Sequence, residues 1–114
     1  LATGTVDLAG PAAPTNLHVT SEADRTVSVA WNGVPGAVSY DVWTSPVTGG
    51  GYSKANASPI AATDFTLEGL RNGSPVYVVV TANDATGNAS AFSNQVKGIP
   101  QYVIGWANLQ WPPR

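Results

Sequence analysis

Val27-Ser28-Val29-Ala30-Trp31, a break at Asn32-Gly33-Val34-Pro35-Gly36, and Ser39-Tyr40-Asp41-Val42 decide how this chain folds. Val27, Val29 and Trp31 share one parity in the first run, and Tyr40 and Val42 share one in the second. A repeat of two belongs to an extended strand with one buried face. The break between the runs is rich in Asn, Gly and Pro, residues suited to turn backbone. The unit is therefore strand, turn, strand.

The same grammar extends outward in both directions. Upstream, Leu17 and Val19 alternate with Asn16, His18 and Thr20. Downstream, Gly49-Gly50-Gly51 interrupts, and residues 52–55 read as a short edge strand beginning at Tyr52. Residues 63–67 alternate around Phe65 and Leu67. After a turn at 71–75, residues 76–83 form the longest β-branched run, and residues 91–96 form the last strand. Seven short strands spaced about ten residues apart predict an all-β sandwich or barrel. The expected core is Trp31, Tyr40, Val42, Val78 and Val80.

Composition supports this and excludes other classes. Of 114 residues, 43% are hydrophobic and only 11% charged, with 12 Gly and 9 Pro, which suits many strands and turns better than long helices. Five scattered cations and a net charge of −2 form no basic stripe, so nucleic acid is not an expected partner. No apolar run approaches the roughly 20 residues that span a bilayer. With no cysteine, a disulfide framework and a thiolate metal site are excluded.

Several separated motifs, taken in order, resemble the fibronectin type III domain. They are Val29-Ala30-Trp31, Val34-Pro35-Gly36-Ala37, Ser39-Tyr40-Asp41-Val42, Gly69-Leu70, Asn72-Gly73-Ser74 and the run from Ser90 to Val96. The resemblance covers residues 14–98 and implies a three-stranded sheet packed on a four-stranded one. Residues 1–13 then read as a linker from a preceding module. The apolar stretch 99–114, with Tyr102, Trp106 and Trp111, reads as the start of a following one. With Gly49-Gly50-Gly51-Tyr52 after the third strand, the chain resembles copies found in extracellular bacterial glycoside hydrolases of the amylase and pullulanase kind. That implies a secreted, monomeric accessory module whose partners are neighbouring domains. The resemblance has one gap. Six residues after Leu70, where the family usually has a corner tyrosine, stands Val76.

Candidate chemistry is thin. None of the seven carboxylates has a recognisable partner motif, so no catalytic residue is expected, and neither is a cofactor or metal. His18 falls on the outward parity of its strand. Asp84 with Asn88 lacks the alternating acidic ligands of a calcium loop. Three Asn-x-Ser triplets, at Asn56, Asn72 and Asn88, fall in turns. Strand parity places Trp43 and Tyr77 on the outer face of the larger sheet, and Tyr52 is a further candidate contact. Such rings can pack against a neighbouring domain or stack on a polysaccharide. An adhesion repeat at the cell surface is the remaining reading.

Overall fold

The computed structural model describes residues 10–102. Its strands are β1 (His18–Ala23), β2 (Thr26–Ala30), β3 (Ala37–Ser45), β4 (Ser53–Lys54), β5 (Asp64–Leu67), β6 (Val76–Asp84) and β7 (Val96–Gly98). They form two antiparallel sheets, ordered β1-β2-β5 and β4-β3-β6-β7. The architecture is an all-β sandwich of three strands on four.

The inward parity of each strand supplies the core. Val27, Val29, Trp31, Tyr40, Val42, Leu67, Val78, Val80 and Ala82 are buried in one cluster with Leu17, Ile60 and Val76. Trp31 is 4% exposed and meets Tyr40 edge-on, with ring centroids 5.5 Å apart. The Tyr40 hydroxyl accepts the Val34 N–H at 2.9 Å, which ties the turn after Trp31 to the core ring. Trp31 Nε1 is buried without a partner among the described residues.

The seventh strand departs from expectation. It runs Val96–Gly98 rather than residues 91–96, and a different device joins the preceding segment to β6. Ser90 N–H donates to Ala82 O at 2.8 Å, and Ser93 N–H donates to Val80 O at 2.9 Å. The return bonds go to hydroxyls: Ala82 N–H to Ser90 Oγ at 2.8 Å, and Val80 N–H to Ser93 Oγ at 2.9 Å. Three residues thus match a two-residue step of β6, so the segment is shorter per residue than a strand. The side chain supplies the acceptor that a strand carbonyl would have supplied. Asn94 then crosses to the other sheet, accepting from Leu17 N–H at 3.1 Å and donating to Leu17 O at 2.9 Å.

The corner without its tyrosine is held by an amide. Asp24-Arg25 forms a two-residue turn between Ala23 and Thr26, with Arg25 at φ 61°, a conformation unfavourable for a non-glycine residue. Asn72 Oδ1 accepts the Arg25 N–H at 2.7 Å, and Asn72 Nδ2 donates to Asp24 at 2.8 Å. Hydrogen bonding continues beyond Gly98. Ile99 N–H donates to the Glu22 carboxylate at 2.8 Å, Gln101 N–H to Ala23 O at 3.0 Å, and Gly73 N–H to Pro100 O at 2.9 Å. Val103, Ile104, Trp106 and Trp111 lie outside the described residues.

The chain therefore arrives and leaves at opposite poles. At the proximal pole, Gly10 lies so close to the Ala89 carbonyl that a Cβ would overlap it, beside the loop that follows β6. At the distal pole, residues 99–101 lie against the end of β1 and the turn before β6.

Candidate functional site

The outer face of the four-stranded sheet is where the sequence places its unassigned aromatics. β3 presents Asp41, Trp43 and Ser45 there, and β6 presents Tyr77, Val79 and Thr81. Their register pairs Asp41 with Thr81, Trp43 with Val79, and Ser45 with Tyr77. Trp43 and Tyr77 thus share the face as diagonal neighbours. The ring that meets Trp43 is instead Phe92, edge-on with centroids 6.0 Å apart. Tyr52 meets the same Phe92 at 5.1 Å.

These rings form a small second layer. Val79 is 2% exposed although its parity points away from the core, and the Trp43 side chain stands directly across from it. Trp43 Nε1 donates to Thr81 Oγ1 at 3.0 Å, so the indole has a polar anchor as well as an apolar one. Lys54 Nζ lies 5.6 Å from the Trp43 ring centre, within cation–π range. Phe92 remains 47% exposed. The sequence places Phe92 only within an expected last strand, residues 91–96, and not on this face; the segment that carries it is irregular and keeps no period-two parity. The detectable signal was Ser90 and Ser93, two hydroxyls three residues apart beside a β-branched strand.

Gln95 secures one side of the patch. Its Oε1 accepts from the Tyr52 hydroxyl and from Gly49 N–H at 3.0 Å, while Nε2 donates to Thr48 at 2.8 Å. The glycine run at 49–51 is thereby a pinned turn. A polar network closes the other side. Asn56 is buried, accepts the Val42 N–H at 2.8 Å, and donates to Asp41 at 2.9 Å. Asn83 donates to Asp41 at 3.1 Å, and Lys54 pairs with it at 3.7 Å. Burial alone would push the Asp41 carboxyl up, but the amides of Asn56 and Asn83 and the Lys54 charge outweigh it. The net pKa lies below the ordinary 3.8.

The remaining candidates are occupied by local structure. Asp84 accepts from Asn88 N–H at 2.9 Å, from Thr86 Oγ1 at 2.8 Å and from Thr86 N–H at 3.0 Å. These bonds, that from the Asn88 backbone foremost, hold its pKa below the ordinary value. His18 Nδ1 donates to Asn16 O at 2.7 Å on an exposed surface. Each Asn of the three triplets has its amide engaged: Asn56 with Asp41, Asn72 with Asp24, and Asn88 with Asp84. Among the described residues no group of three His, Cys, Asp or Glu could hold a metal ion, and no helix is long and apolar enough to cross a membrane.

Comparison with known proteins agrees on one family. The family model for the fibronectin type III domain matches residues 12–99. Amylopullulanase of Thermoanaerobacterium thermosulfurigenes is 38% identical over 100 residues, which are 88% of this chain but 5% of that protein. Chitinase A1 of Niallia circulans is 32% identical over 79% of this chain and 12% of its own length. Poly(3-hydroxybutyrate) depolymerase of Delftia acidovorans is 32% identical over 71% of this chain and 15% of its own length. The chain thus spans a small fraction of these relatives. The crystal structure of a Fn3-like protein from Clostridium thermocellum superposes with TM-score 0.66 at 34% identity, covering 82% of this chain and 95% of that one.

Proposed function

This chain belongs to the fibronectin type III family, and on that premise we propose that it is a non-catalytic spacer module of a secreted bacterial carbohydrate-active enzyme. The observation that carries this reading is the placement of chain entrance and exit at opposite poles. β6, nine residues long, runs from one pole to the other, which separates flanking modules by about 30 Å at roughly 3.3 Å per residue. Relatives of different chemistry, an amylopullulanase, a chitinase and a polyester depolymerase, carry a similar stretch as a minor part of their length. A part common to all three fits a role shared by all three better than any one bond-breaking step.

Four of the seven carboxylates support the same reading. Glycoside hydrolysis needs two carboxyl groups flanking one cleft. Asp41 and Asp84 are engaged by amides and hydroxyls, Glu22 holds Ile99, and Asp24 holds Asn72. In this reading Tyr77, near the distal pole, faces the following domain. Trp43 and Tyr52 cover their own sheet, which leaves their rings less available to a sugar. Residues 1–13 and 99–114 are assigned to the junctions with neighbouring modules.

The chain has no native cysteine, so spin labels at Ala12→Cys and Tyr102→Cys report the pole-to-pole distance directly. A distribution centred near 30 Å is expected, about the length of a nine-residue strand. A centre at half that value or less would remove the spacer reading. Purified chain should release no sugar from starch or chitin; turnover abolished by a single carboxylate substitution would overturn the non-catalytic assignment.

A further inference from the structure

Asn-Gly occurs twice in this chain, at Asn32-Gly33 and Asn72-Gly73, and the fold treats the two pairs differently. A glycine amide following asparagine can attack the side-chain carbonyl, because no Cβ hinders the approach. The attack needs a free N–H on the glycine and an amide side chain free to rotate. At the distal pole both are taken. Gly73 N–H donates to Pro100 O at 2.9 Å, and Asn72 is held at both ends by bonds of 2.7 and 2.8 Å.

At the proximal pole neither is secured. Asn32 is exposed. Its Nδ2 reaches Thr15 Oγ1 only at 3.3 Å, and its Oδ1 meets Asn16 Nδ2 at 3.4 Å, both at the long limit of hydrogen bonding. No acceptor meets the Gly33 N–H among the described residues.

We infer that Asn32 is a site of spontaneous deamidation, and that docking of Pro100 protects Asn72 from the same reaction. The Gly33 nitrogen, losing its proton to water, bonds to Asn32 Cγ, and the side-chain nitrogen leaves as ammonia. Water then opens the succinimide. Cleavage at the side-chain carbonyl yields aspartate, and cleavage at the backbone carbonyl yields isoaspartate. Either product adds a negative charge to a chain of net charge −2. Isoaspartate also inserts a methylene into the backbone between two anchors, Asn32 N–H on Thr15 O and Val34 N–H on the Tyr40 hydroxyl. The modification therefore loosens the proximal pole, where the preceding segment joins the sandwich.

The test is incubation of the intact folded chain in mildly alkaline heavy-oxygen water, followed by tryptic mapping. Trypsin separates the two sites, since cleavage after Arg25, Lys54, Arg71 and Lys97 yields peptides 26–54 and 72–97. Asn32 is expected to take up label several-fold faster than Asn72 in the folded chain, and the two rates should converge in concentrated urea. Asn32→Gln should abolish labelling of peptide 26–54. Equal or faster labelling at Asn72 in the folded chain would overturn the inference. So would an unlabelled Asn32 in the folded chain beside a labelled one in urea.

Discussion

Trp31 and Trp43 each meet a second ring edge-on, at 5.5 Å for Tyr40 and 6.0 Å for Phe92, yet they occupy opposite kinds of environment. Trp31 lies between the sheets, and its indole N–H has no partner among the described residues. Trp43 lies on the outside, and its N–H is bonded to Thr81. The inner ring is covered by two regular sheets whose inward parities meet. The outer ring depends on a lid drawn from residues 90–95, which β6 holds through the hydroxyls of Ser90 and Ser93. A core made by alternation is general to the sandwich, whereas the outer layer needs particular side chains at particular places.

The widest separation between the two layers should appear when each loses its ring. Trp31→Ala is expected to cost about 3–5 kcal/mol, the range for an aromatic removed from a core, measured by urea unfolding. A loss below about 1 kcal/mol would mean that the inter-sheet space tolerates the cavity, which a close-packed interior does not.

Phe92→Ala probes the lid, and its expected cost is smaller. Phe92 is about half exposed, so its removal forfeits only part of the ~1.5–3 kcal/mol of a fully buried side chain, roughly 1 kcal/mol. Amide exchange should then accelerate at Val80 and Ala82, whose N–H groups rest on Ser93 and Ser90. A cost matching that of Trp31→Ala would erase the distinction between core and lid. Unchanged exchange would show that Phe92 does not hold the segment in place.

The same contrast explains what could be read from the sequence. Val27, Val29, Tyr40, Val42, Val78 and Val80 were legible because a period of two assigns them one face regardless of what lies opposite. The outward placement of Trp43 and Tyr77 followed from that rule as well. Phe92 was not legible, since the segment carrying it pairs three residues against two and has no parity to count. The Asn72 clamp was equally hidden. It joins two turns 47 residues apart through an amide, and nothing local in Asn72-Gly73-Ser74 distinguishes a clamp from an ordinary turn. Regular hydrogen bonding leaves a periodic trace in sequence, and side-chain substitution for it does not.

Acid is the gentlest way to separate the two layers, because the inner cluster contains no carboxylate while the outer face is bounded by Asp41. Asp41 gains its stabilisation when ionised: in the folded chain Asn56, Asn83 and Lys54 all favour the charged form. Its folded pKa lies below the unfolded value of about 3.8, so at low pH the unfolded chain binds the proton first. The stabilisation is therefore complete above that value and is lost as pH falls through the folded pKa. Unfolding midpoints in urea should fall between about pH 5 and pH 2, and Asp41→Asn should flatten part of that slope. Carbon chemical shifts would assign the effect, with the Asp41 carboxyl and the Trp43 indole moving together while Trp31 stays fixed. If Trp31 moved with them, the outer network would be coupled through β3 into the core, and the two tryptophans would belong to one cooperative unit rather than two layers.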